Sequence, residues 1–222
     1  MEAVKTKEPQ YAACFGAEPV TLGPMASEAY RRDPKRLVFT LARYKFVAKM
    51  IGGMSPVAEI GCGDGFGSRI VAAEVGDHLD LVDFDETWKK YADEAAEPLN
   101  FIVHDIALNG PIANRLYRAI YALDVLEHIA PSLEIAALSS ITRSLRDDGV
   151  FIAGCPSLES QTHASAQSRA GHVNCKTGAA FQDTFQRFFQ NVFIFSMSDE
   201  VVHTGFSPMA HYRLALCVGP KR

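Results

Sequence analysis

The chain has 222 residues, a length that suits one domain with appendages. Its 48% hydrophobic and 22% charged content is that of an ordinary globular protein. A net charge of −4 excludes a broad positive field for nucleic acid, and no stretch approaches the roughly 20 unbroken apolar residues of a membrane-spanning helix.

The first ten residues, M-E-A-V-K-T-K-E-P-Q, lack the apolar core of a secretory signal, so a cytoplasmic location is expected. Five scattered cysteines (Cys14, Cys62, Cys155, Cys175, Cys217), odd in number and without a C-x-x-C pair, suit reduced thiols. The densest basic cluster, Arg31, Arg32, Lys35 and Arg36, is broken by Asp33 and Pro34 and reads as a solvated helix end.

Residues 1 to about 28, with Pro9, Pro19, Gly23 and Pro24, show no clear period and read as an arm or loose lid. Asp33-Pro34 then opens a helix, the carboxylate as N-cap and proline at the first helical position. Leu37, Leu41, Tyr44 and Val47 form its apolar stripe, and Gly52-Gly53 ends it. Residues 1–52 are therefore expected as an N-terminal arm and cap helix, and 53–222 as the main domain.

From there short apolar runs alternate with amphipathic segments. Strands are predicted at 57–60, 79–82, 101–103, 118–123 and 150–154, with helices at 68–75, 86–97 and 132–145 between them. Such alternation implies right-handed βαβ crossovers and a mainly parallel sheet buried on both faces. A polar loop spans 157–176, long enough to be read as functional, and a helix follows at 177–189. Segments 192–195 and 212–218 are separated by a loop too short for a crossover helix, so an antiparallel pair is expected. The fold class is α/β: a doubly wound, seven-stranded, mostly parallel sheet with an antiparallel C-terminal strand and an N-terminal helical cap.

The segment V-A-E-I-G-C-G-D-G-F-G at 57–67 places glycines directly after the first strand. There the backbone turns tightly and a ligand lies against bare main chain. The dinucleotide pattern G-x-G-x-x-G is not met, because Phe66 stands at its sixth position. Glu59 instead sits two positions before a G-x-G-x-G run. Asp83 closes the second strand in L-V-D-F-D, His104-Asp105-Ile106 the third, and Asp124-Val125-Leu126-Glu127-His128 the fourth. Leu145-Arg146-Asp147-Asp148-Gly149 marks the turn before the fifth. All these groups fall at carboxyl ends of consecutive strands, where open α/β sheets bind ligands.

In this order the motifs resemble those of the class I S-adenosylmethionine-dependent methyltransferases, and within them the D-V-L-E-H group that includes ubiquinone-pathway O-methyltransferases. The resemblance implies a Rossmann-like methyltransferase fold with S-adenosylmethionine as cofactor and S-adenosylhomocysteine as product. It implies that Glu59, Gly61, Gly63 and Asp64 line the methionine and ribose portion. Asp83 would hold the ribose hydroxyls, Phe84 and Ile106 the two faces of adenine, and Asp105 its amino group. Asp124 belongs to the same lining, and Arg43 would pair with the methionine carboxylate.

Methyl transfer to a hydroxyl needs a proton acceptor, and His128, just past the fourth strand, and His172, in the long loop, are the candidate bases. An alternative follows from D-x-x-E-H with a distal His, which looks like the E-x-x-E-H plus His of small-RNA 2′-O-methyltransferases. On that resemblance Glu127, His128 and His172 would hold a divalent ion. His78 and His163 read as surface residues, whereas the 196–211 loop, with Asp199, Glu200, His203, Met209 and His211, reads either as a wall of the acceptor pocket or as a plain structural turn. The function expected is methylation of a small-molecule hydroxyl. A small-molecule nitrogen acceptor or a non-catalytic adenosylmethionine-binding protein are the alternatives, with no nucleic-acid or membrane partner.

Overall fold

The computed structural model describes residues 8–15, 20, 22–76, 78–94, 99–112 and 115–222. Its centre is an eight-stranded sheet in the order β3-β2-β1-β4-β5-β8-β6-β7. The strands are β1 Val57–Ile60, β2 Leu79–Asp83, β3 Asn100–Val103, β4 Tyr117–Leu123, β5 Leu145–Pro156, β6 Phe189–Ser198, β7 Val201–His203 and β8 Tyr212–Pro220. β1 to β5 run parallel, and β8 pairs antiparallel with both β5 and β6. Strand order reverses between β1 and β4, which makes their carboxyl ends the topological switch point.

Along β4 the buried side chains alternate between two cores from Ala119 onward, after a register shift between Tyr117 and Ala119. Tyr117, Ile120 and Ala122 join Leu138 and Ile141 of helix α5 (Glu134–Ser144) and Phe181 and Phe185 of α7 (Gly178–Gln186). Ala119, Tyr121 and Leu123 face Val47 of α2 (Lys35–Met50) and Val71 of α3 (Ser68–Ala72). Ala92 of α4 (Lys89–Glu94) joins that second core. Helices on both faces complete the doubly wound architecture expected from the sequence.

Helix α3 is shorter and strands β5 and β6 are longer than expected, and four further departures bear on the architecture. The sheet has eight strands because the chain folds back across Asp199-Glu200, with Asp199 at φ +52, and adds β7 to the free edge of β6. Part of the 157–176 loop is helical, with a 3-10 turn at Glu159–His163 and helix α6 at Ala166–Gly171, the latter capped by Ser165. The N-terminal stretch read as a loose arm contains helix α1, Pro24–Arg32. The carboxylate of Asp64 meets its first amides, accepting from Met25 N at 2.9 Å and Ala26 N at 3.2 Å. A cap drawn from a distant part of the chain has no local sequence signal. The helix predicted over 86–97 begins as a 3-10 turn at Glu86–Trp88 and continues as α4; its expected end lies outside the described residues. Among the described residues no helix is long and apolar enough to cross a membrane.

Candidate active site

The turn after β1 requires glycine. Gly61 (φ +74) and Gly63 (φ +51) occupy the left-handed region, and a Cβ on Gly61 would sit 2.3 Å from Cγ2 of Val125. Beneath the turn lies Glu59, fully buried, its oxygens accepting from the hydroxyls of Tyr44 (2.8 Å), Tyr121 (2.7 Å) and Ser68. Burial raises its pKa, and the three hydroxyl donors oppose that rise. With both oxygens engaged, Glu59 fastens the turn to α2, β4 and α3.

Asp64 also meets protein partners. Its Oδ2 caps α1, and its Oδ1 accepts from Phe66 N at 3.3 Å. The sulfur of Met25 would lie 2.7 Å from a Cβ on Gly63, so the start of α1 covers the turn.

Asp83 accepts from Gly63 N and Asp85 N, both at 3.0 Å, which ties the ends of β1 and β2 together. Beside it Phe84 is 73% exposed, unusual for a phenylalanine, whereas Ile106 is buried. Asp105 Oδ1 accepts from Ala107 N at 2.8 Å and Leu108 N at 3.1 Å, capping the turn that carries Ile106. Gly61, Gly63, Asp83, Phe84, Asp105 and Ile106 thus gather along the ends of β1, β2 and β3.

Past β4, Asp124 adopts a left-handed conformation (φ +57), and its Oδ2 lies 2.6 Å from Nη1 of Arg43. The Arg43 guanidinium stacks 3.7 Å from the centre of the Tyr212 ring. Its Nε and the Tyr212 hydroxyl are buried with no partner among the described residues. The structure therefore pairs Arg43 with Asp124, an ion pair the sequence reading did not anticipate.

Glu127 is fully buried, and neither carboxylate oxygen is met by a well-formed hydrogen bond among the described residues. The Cys155 thiol beside it is only a weak donor. Burial, then the charge of Asp124, push its pKa up to about 8. His128 and His172 stand over it with ring centres 5.1 Å apart, and His128 Nε2 is 4.0 Å from Glu127 Oε1. One coordinating atom from each of the three lies within 4.8 Å of the others. Burial, and then the neighbouring His128, lower the His172 pKa and favour its neutral form.

Arg213, whose side chain is buried, ties the 157–176 segment that carries His172 to the turn before β8. It donates to Lys176 O and Ser207 O, each at 3.0 Å, and to Ser207 Oγ at 3.1 Å, and pairs with Glu159 at 3.0 Å. The sequence reading missed Arg213, Tyr44, Tyr121 and Ser68. Their only signal is a polar group inside an apolar strand or helix stripe.

Residues 57–149 match the family model described as a methyltransferase domain. No curated protein shows significant similarity in sequence. Among solved structures, the chain is similar in fold to a SAM dependent methyltransferase from Archaeoglobus fulgidus, with TM-score 0.65, 16% identity, and 88% of this chain and 100% of that one covered. It is also similar to the plantazolicin methyltransferase BpumL in complex with SAH, with TM-score 0.65, 14% identity and 89% of each chain covered. The N-methyltransferase NodS from Bradyrhizobium japonicum WM9 gives TM-score 0.58, 17% identity, and 85% and 98% coverage. At these identities the likeness is one of fold, and the matched domain is what points to the activity. The chain therefore carries a methyltransferase domain over residues 57–149, set in a sheet of the fold these S-adenosylmethionine-dependent methyltransferases share.

Proposed function

We propose that the protein methylates a hydroxyl oxygen of a small-molecule acceptor, with Glu127, His128 and His172 holding a divalent ion beside that oxygen. The observation that carries this reading is the buried, unpaired carboxylate of Glu127 facing two imidazoles. An uncompensated buried carboxylate is costly, and a cation is the partner that would relieve it. Ligand bonds of about 2.0–2.2 Å separate ligand atoms by roughly 3–4 Å, so the cluster would draw in by about 1 Å. Mixed carboxylate and imidazole donors suit Mn²⁺ or Zn²⁺, and Mg²⁺ less well. Asp124, the remaining acid of D-x-x-E-H, stays with Arg43.

The sulfonium of the donor supplies an activated methyl group, and a bound cation lowers the pKa of a hydroxyl. The chain's own residues bind and orient. Gly61 and Gly63 offer bare main chain to the methionine and ribose portion. Asp83 accepts from the ribose hydroxyls with its remaining lone pairs. Exposed Phe84 and buried Ile106 flank the adenine, and Asp105 faces its amino group. Arg43 retains an unpartnered Nε for the methionine carboxylate. The cap, within residues 1–52, covers the catalytic domain of 53–222 through α1. A small acceptor agrees with the net charge of −4, and the same histidines would serve as bases without an ion.

The test uses S-adenosylmethionine labelled with ¹³C at its methyl, a panel of hydroxyl and amine acceptors, and detection of the product by NMR. Methoxy signals that vanish on chelation and return with Mn²⁺ or Zn²⁺ support the proposal. Labelled N-methyl products alone, or O-methylation indifferent to chelation, contradict it.

A further inference from the structure

Two hydrogen bonds decide which nitrogen of each histidine is free. His128 Nδ1 lies 2.9 Å from the carbonyl oxygen of Gly171, which can only accept, so Nδ1 carries the hydrogen. His172 Nδ1 lies 2.8 Å from Oε1 of Gln161. The orientation of that amide is set by its other end. Nε2 of Gln161 donates to the carbonyl of Ser157 at 3.1 Å, so the atom facing His172 is the oxygen and His172 also carries its hydrogen on Nδ1. Ser157 is in turn fixed, buried, with its amide donating to His211 O at 3.0 Å.

We propose that Gln161 is a positioning residue, holding the His172 ring in the Nδ1–H form so that its Nε2 lone pair is presented together with that of His128 toward Glu127. The inference rests on the ion-binding reading above and extends it to a residue that touches neither acceptor nor ion. A ring whose other nitrogen donates to a carbonyl-type oxygen is fixed in tautomer and direction, and loss of such a partner typically weakens metal binding 10–100-fold.

The local chain is built for the arrangement. Helix α6 ends at Gly171, and His172 follows with its amide on Ser168 O at 2.8 Å. One short helix therefore delivers both the second imidazole and the carbonyl that orients the first. Gly171 lets the His128 ring approach, since a Cβ there would stand 3.3 Å from its Cε1 and Nδ1. The next two residues close on the far side, Val173 N and Asn174 N donating to the Glu127 carbonyl at 2.9 and 3.0 Å. Free imidazole in water prefers the opposite, Nε2–H form, so the pattern must be imposed by these partners.

The experiment compares wild-type protein, Gln161→Leu and Gln161→Glu, each with intact fold checked by thermal melting. Long-range ¹⁵N–¹H correlation reads the histidine tautomers in the metal-free protein, and calorimetry reads Zn²⁺ affinity. The expected result is Nδ1–H on both rings of the wild type and a shift of His172 alone toward Nε2–H in Gln161→Leu. Zn²⁺ affinity should fall 10–100-fold in that variant and return in Gln161→Glu. A His172 tautomer unchanged in Gln161→Leu, or Zn²⁺ affinity equal to wild type, overturns the proposal. If the wild type binds no Zn²⁺, the ion-binding reading falls, and the tautomer comparison still judges Gln161 by itself.

Discussion

Replacing Glu127 by glutamine should stabilise the metal-free protein and abolish its response to divalent ions. The carboxyl is fully buried without a good donor, and its pKa rises from the usual 4.5 to about 8. At pH 7 the native state therefore holds a proton that the unfolded chain has released, at a cost on the order of 3 kcal/mol. Glutamine removes that term but leaves an amide imperfectly paired, which costs about 1–3 kcal/mol. The balance is a gain of roughly 1 kcal/mol, or about 2–4 °C in melting temperature for a chain of this size. The sign with pH follows: between about pH 4.5 and 8 the native state binds more protons, so wild-type stability falls as pH rises. The variant should lack that part of the slope. Conversely, an ion at 100 times its dissociation constant should stabilise wild type by about 2.7 kcal/mol and leave Glu127→Gln unmoved. Differential scanning calorimetry of chelator-treated protein, with and without Zn²⁺, reads all of these. A variant that melts below wild type without metal, or that keeps the ion response, would refute the reasoning.

Other substitutions probe the nucleoside side and its supports. Gly61→Ala should lower the melting temperature and abolish S-adenosylhomocysteine binding, because its Cβ meets Cγ2 of Val125 at 2.3 Å in a left-handed conformation. Adding Val125→Ala should recover part of the stability, measured by thermal melts and calorimetry. Asp83→Asn should keep an acceptor for Gly63 N yet weaken S-adenosylhomocysteine binding about 10–100-fold, the value of hydrogen bonds to a charged group. Tyr121→Phe should cost about 1–3 kcal/mol by removing a donor from buried Glu59, read as a shift in urea midpoint. Asp64→Ala should cost about 1 kcal/mol and expose α1 to limited proteolysis, since the cap on Met25 N and Ala26 N is lost.

The parallel half of the sheet was legible because each strand is a short apolar run closed by a glycine or a carboxylate. β1 falls at 57–60 as expected, and β2 and β3 differ from expectation by one residue at one end. α1 and β7 were hidden for a different reason. Each depends on a partner far along the chain or on one turn, Asp64 for the helix and Asp199-Glu200 for the hairpin. Among site residues, Glu127, His128 and His172 were named from a resemblance to a known ligand pattern, and the fold brings them together across a gap of more than forty residues. Glu59 and Asp64 carry the motif, but their carboxylates are turned to protein partners that periodicity cannot reveal. Gln161 had no signal, because an isolated glutamine in a polar loop resembles any solvated side chain.

The most direct measurement is a crystal structure with S-adenosylhomocysteine and Zn²⁺, with anomalous data collected at the zinc edge. The expected result is the nucleoside against Gly61, Gly63 and Asp83, with one anomalous peak about 2.0–2.2 Å from a Glu127 oxygen and from Nε2 of His128 and His172. A bound nucleoside with no peak at that position, or with zinc held elsewhere, would contradict the assignment of these three residues as the hydroxyl-activating centre.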